Sequence, residues 1–256
     1  LVFGSGGIKG IIYIGCLKLL EEYNLLKNIT SIAGTSAGGI FALMVNLGYT
    51  SCELEKLSLY IDFSKFTNIN GESILNSLEN YGIDSGEKLL NLFKILIKKK
   101  VKNENITFLE LYNITKQKLI LTGTCLNTNS IEYFSYQNNP SMKVIDALRI
   151  TFSIPFIYNK VIYNGKYYLD GAVIDDYPVK IFHEKKNNTI GFLIKSKKEL
   201  NREINDALSY FRRVVSCIQL QLKNYQKQGF DEQTITLDID IENIKFSIDK
   251  DKKKEI

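Results

Sequence analysis

The chain holds no tryptophan, one histidine, two methionines and three prolines in 256 residues. A lone histidine beside four scattered cysteines (Cys16, Cys52, Cys125 and Cys217, none in a CxxC pair) excludes the usual zinc sites, which need several such ligands at short spacing. Arginine is scarce too: only Arg149, Arg202, Arg212 and Arg213 stand among 33 cationic residues. Bidentate recognition of bases and phosphates favours arginine, so nucleic acid is not an expected partner. No apolar run approaches the roughly 18 to 20 residues that cross a bilayer. No leader peptide is legible, and Leu1 already stands inside an expected strand, which leaves room for residues ahead of it. Cysteines dispersed in apolar surroundings usually stay reduced, so a cytoplasmic setting is expected.

What is present is ordinary for a globular protein. Hydrophobic residues make up 45% and charged residues 24%, which rules out wholesale disorder. The 33 cations exceed the 28 anions by only +5. The length suits one large α/β domain over 1–256.

Strand and helix patterns alternate along most of the chain. Short apolar strands are expected at 1–3 and 30–33, each running into a glycine turn and then a helix. Strands are also expected at 118–125, 131–136, 167–169, 189–194 and 234–241, with helices at 143–153, 178–186 and 199–227. The stretch 52–115 reads as a helical insertion or lid, with capping boxes expected at Asp84…Glu87 and Thr107…Glu110. An apolar helix ending in Lys98–Lys100 is read there as core-facing. The charged run at 249–256 reads as a frayed tail. Alternation of this kind argues a three-layer α/β/α arrangement around a mostly parallel central sheet.

Three motifs carry chemistry. The first is Gly34-Thr35-Ser36-Ala37-Gly38, with a strand entering and a helix leaving, the setting of a nucleophile elbow. A serine there is exposed on a tight turn at a helix N-terminus, whose positive potential favours developing negative charge. The same pattern fits a glycine turn whose serine merely caps the helix. The second motif is Gly4-Ser5-Gly6-Gly7-Ile8-Lys9-Gly10, where uncovered backbone N–H groups can converge on an oxyanion. It fails as a Walker A loop because Gly10 follows Lys9, and as a dinucleotide fingerprint because Lys9 stands where the third glycine belongs. The third is Asp170-Gly171-Ala172 at a strand end, either a base or a plain Asp-Gly turn.

In this order the three motifs resemble the patatin-like phospholipase family. The segment from Arg149 to Phe156 also looks like that family's helix-to-proline stretch, and the resemblance covers about residues 1–195. It implies a lipid acyl hydrolase with a Ser–Asp dyad, Ser36 attacking and Asp170 acting as base. The N–H groups of Gly6, Gly7 and Ile8 would form the oxyanion hole. It implies neither metal nor cofactor, and a phospholipid or lysophospholipid as substrate. The departures are Ser5, where the family usually has glycine, and Lys9, where many members have arginine. Two alternatives stay open: an esterase of the α/β-hydrolase type whose triad uses His183, and a silent lipid-binding module. Asp175 and Asp176 read as loop residues before Pro178. The lysines at 98–102 and 252–254 suit weak, salt-sensitive binding at the surface of an anionic membrane.

Overall fold

The computed structural model describes residues 1–60, 81–196, 203–205 and 207–239. The tail at 249–256 and its lysines lie outside them.

Strand β1 (Val2–Phe3) enters a 3-10 helix at Gly7–Ile12 that continues as α1 (Tyr13–Glu22). Then come β2 (Ser31–Gly34), α2 (Ala37–Asn46) and α3 (Ser51–Tyr60). After the gap follow β3 (Gly82–Asp84), α4 (Glu87–Val101), α5 (Phe108–Thr115), β4 (Lys118–Cys125) and β5 (Ser130–Phe134). The second half holds α6 (Val144–Thr151), β6 (Phe156–Tyr158), β7 (Val161–Tyr163) and β8 (Lys166–Asp170). A kinked 3-10 segment at Pro178–Asn188, β9 (Gly191–Ser196), α7 (Ala207–Lys227) and β10 (Thr234–Ile239) complete the described chain.

Strands β10, β9, β1, β2 and β4 lie side by side and all parallel. Such strands are covered on both faces, so their side chains divide between two cores with the period of two that a strand imposes. Phe3, Phe192 and Ile194 face the larger core, while Val2 and Leu193 face a smaller one with Tyr177, Val179 and Phe230. The mixed sheet with helices on both sides is the expected three-layer architecture.

The antiparallel part of the sheet matters most for the site. Leu121 of β4 pairs with both Gly34 and Phe134, and Gly123 pairs with both Glu132 and Asp170. Each residue has only two edges, so β5 occupies one edge of β4 while β2 and β8 share the other, end to end. β2 runs parallel to β4 and β8 antiparallel, so the two strands approach head to head. Their last residues are two β4 positions apart, about 7 Å along the strand.

The 52–115 stretch is not purely helical: β3 lies within it and pairs with β6 in a separate two-stranded parallel sheet. Helix α4 buries Leu89, Phe93, Leu96 and Ile97 in the larger core. Its Lys100 turns back to Glu53 at 2.9 Å and over the Tyr49 ring at 4.3 Å. The capping box at Thr107 and Glu110 forms. The one expected at Asp84 does not: α4 starts after a left-handed Gly86, and buried Asp84 accepts the Gly86 N–H at 2.7 Å instead.

Candidate active site

Ser36 sits where β2 turns sharply into α2. Its backbone is at φ +55° and ψ −124°, a conformation that costs an ordinary L-residue about 1–3 kcal/mol. Surrounding bonds hold it there. The Ser36 N–H donates to Thr151 Oγ1 at 3.1 Å. Next to it, the Thr35 hydroxyl donates to the Asp175 carbonyl at 3.0 Å and receives the Thr122 hydroxyl at 2.8 Å. The flanking glycines are required by close approach. A Cβ on Gly34 would lie 2.1 Å from the Gly38 carbonyl oxygen, and one on Gly38 would lie 2.3 Å from that of Phe3.

Asp170 ends β8, facing the end of β2. Its N–H is bonded to the Ser153 carbonyl at 2.9 Å, and its Oδ1 accepts the Ala172 N–H at 2.9 Å. The Ser36 hydroxyl stands beside the same carboxylate. Asp170 is fully buried, and that desolvation pushes its pKa up to about 7. The Ser36 hydroxyl and the bond from Ala172 act the other way, and the nearby negative charge of Asp176 adds to the rise. Gly171 is small because β4 is close: a Cβ there would lie 2.1 Å from Thr122 Oγ1.

The glycine loop approaches from β1. Gly7 adopts φ +53° and opens the 3-10 helix, whose Lys9 N–H bonds the Gly6 carbonyl at 3.0 Å. The N–H groups of Gly7 and Ile8 stand ahead of that bond, in the turn where a helix leaves its donors uncommitted. Gly10 packs on Ala37, the residue after Ser36, so close that a Cβ would meet the Ala37 methyl at 2.9 Å. Gly7, Ile8, Gly10 and Ser36 border one cavity of about 190 Å³, whose remaining wall is almost wholly apolar and includes Phe41, Met44, Leu92, Phe93 and Phe152. Gly6 does not border it; its Cα faces Ile194 instead. Lys9 is buried.

Several contributors are missing from the sequence reading. Asp176 is only 1% exposed, not a plain loop residue. It accepts the Ser5 hydroxyl, its carbonyl takes the Ser5 N–H at 2.9 Å, and its other oxygen lies 3.1 Å from Lys223 Nζ, an ion pair by distance rather than an aligned hydrogen bond. Serine in place of the family's glycine at position 5 therefore ties the loop to the far end of the chain. Asp175 is also buried and accepts the Tyr133 hydroxyl at 2.7 Å. Half-buried Arg149 donates to the carbonyls of Ser85 and Asn159 at 2.9 and 3.0 Å, pinning the β3 and β6 segments beside the site. Sequence offers one hint of these partners, the threonines and serines clustered in otherwise apolar elements. His183 is exposed on the 178–188 segment, whereas the Ser36 hydroxyl stands beside the Asp170 carboxylate.

A sequence model of the family described as patatin-like phospholipase matches residues 1–183. The chain belongs to that family. Among similar proteins, R571 of Acanthamoeba polyphaga mimivirus is 30% identical over 200 residues, 78% of this patatin-like chain and 66% of its own length. A probable lipid hydrolase, 463L of invertebrate iridescent virus 6, is 27% identical over 73% of this chain and 65% of its own. The chain thus spans just under two thirds of these relatives. Among solved structures, VipD from Legionella pneumophila superposes with a TM-score of 0.58 at 14% identity, covering 95% of this chain and 61% of that one. The type III effector ExoU gives 0.53 at 17% identity, covering 99% and 49%. At such identities the likeness extends to the patatin fold.

Proposed function

We propose that this patatin-like chain is a lipid acyl hydrolase that cleaves acyl esters of phospholipids or lysophospholipids through Ser36 and Asp170. The observation that carries the proposal is the strained serine set beside a buried carboxylate and bordering an apolar cavity. Ionised Asp170 takes the Ser36 proton as Oγ attacks the acyl carbonyl. The carbonyl electrons move onto oxygen, where the N–H groups of the Gly6–Gly7–Ile8 turn stabilise them, Gly7 and Ile8 being nearest the cavity. Loss of one such donor typically costs about 10²–10³ in rate. The intermediate collapses, the leaving alkoxide takes the proton from Asp170, and water then releases the fatty acid by the same route. The 190 Å³ cavity matches about six water-sized volumes, room for the carbonyl-proximal part of an acyl chain.

Phospholipid substrates reside in bilayers, so the enzyme works at an interface. Among the described residues no helix is long and apolar enough to cross a membrane, which fits peripheral attachment. The test is lipid-product mass spectrometry on wild type and Ser36→Ala side by side, with fluorophosphonate labelling. Fatty acid release and labelling by wild type alone are expected. Absence of both from folded wild type overturns the proposal.

A further inference from the structure

At the opposite end of β2 from Ser36 lies a second cleft, of about 540 Å³, which shares no lining residue with the apolar cavity. Its floor is the face of β4 and β5 that carries Lys118, Ile120 and Tyr133, with Ser135 just past the end of β5. Its far wall is the 178–188 segment, with Glu184 and Lys185. Three ammonium groups, Lys116, Lys118 and Lys185, thus border it against the single carboxylate of Glu184. Burial first, and the Lys185 charge second, hold the Lys118 ammonium below the usual lysine range. Lys118 bonds the side-chain oxygen of Gln137, a neutral group that leaves its charge uncompensated.

An independent observation points the same way. Ser135 borders the cleft, is 1% exposed, and its Oγ has no hydrogen-bond partner. A buried hydroxyl left unbonded is destabilising. The neighbouring Tyr133 hydroxyl is already committed to Asp175, so it does not serve Ser135. Cations on two walls of the cleft and a hydroxyl without a partner suit a dianionic oxyanion. The volume exceeds what a bare phosphate fills and lies within the range of small-molecule sites. We propose that this cleft binds a phosphate monoester carried on a polyol, with Lys118 and Lys185 holding the phosphate and Ser135 donating to one of its oxygens.

The carrier is either a soluble phosphorylated polyol or the head of a phosphomonoester lipid, and one experiment separates them. Calorimetric titration of the full chain, as Ser36→Ala to prevent turnover, uses inorganic phosphate, glycerol 3-phosphate, and phosphatidylcholine vesicles with or without phosphatidic acid. Binding of glycerol 3-phosphate more tightly than of inorganic phosphate supports a soluble ligand. Binding only of vesicles that hold phosphatidic acid supports the lipid head. In either case Lys118→Gln with Lys185→Gln should weaken binding about tenfold or more, and Ser135→Ala several-fold, without lowering the melting temperature. Binding of none of the probes, or binding unchanged in the double variant, overturns the proposal. Hydrolase activity does not enter the readout, so failure of the Ser36 proposal leaves this one intact.

Discussion

Asp170 shows how one residue's surroundings set both chemistry and stability. A carboxylate acting as base must be ionised, and its pKa stands at about 7 because burial penalises the charge. Activity is therefore expected to fall about tenfold per pH unit below that point. This is also where a free histidine titrates, so the pH profile by itself does not tell carboxylate from imidazole. A pair of variants does. His183→Ala, altering an exposed residue, should keep kcat within a few-fold, whereas Asp170→Asn should abolish turnover. The same shift has a sign for folding. Between about pH 4 and 7 the native state holds a proton that the unfolded chain has released, so wild type loses stability as pH rises through that window and levels off above it. Asp170→Asn removes that loss. Its melting temperature should exceed wild type above pH 7, by the equivalent of no more than about 4 kcal/mol, with the gap closing towards pH 4. A variant less stable than wild type at pH 8 would contradict this account.

Among the elements, the decisive relation is the meeting of β2 and β8 along one edge of β4. Thr122 stands between their ends, bonded to Thr35 and packed under Gly171. Gly171→Ala should push β8 away from β2, lowering the melting temperature and cutting fluorophosphonate labelling of Ser36 together. Thr122→Ala removes the nearest clashing atom and should restore part of both in the double variant; the absence of any rescue would argue against direct contact. This relation also marks what sequence makes legible. The elbow and the glycine loop stand out because their constraints are local: Gly34, Gly38 and Gly10 are small where backbone or Ala37 comes close. The strands at 118–125 and 234–239 stand out because their pattern persists over many residues. β3, β6 and β7 have three residues each, too few to display a period. The partners of Asp176 are Ser5 and Lys223, far away in sequence in both directions, and no local pattern announces them. The 178–188 stretch looks helical in composition, but Phe182 and Lys185 break its geometry.

For the molecule as a whole, net charge and surface composition decide how it meets a lipid surface. The charge is +5, and tryptophan, the usual interfacial anchor, is absent. Association with anionic liposomes is therefore expected to be weak and mainly electrostatic, at about 1 kcal/mol per lysine near the surface. Sedimentation should show it declining as salt rises; binding that ignores salt would point to apolar insertion instead. The head-to-head strands carry a further consequence, one of timing. Ser36 and Asp170 are 134 positions apart, and no shorter stretch of chain contains both. When the elbow leaves the ribosome, the strand that bears Asp170 is not yet made. That strand must then emerge and dock on β4 before Asp170 stands beside Ser36. On the proposed mechanism, then, a growing chain turns over no lipid until the strand that bears Asp170 has arrived.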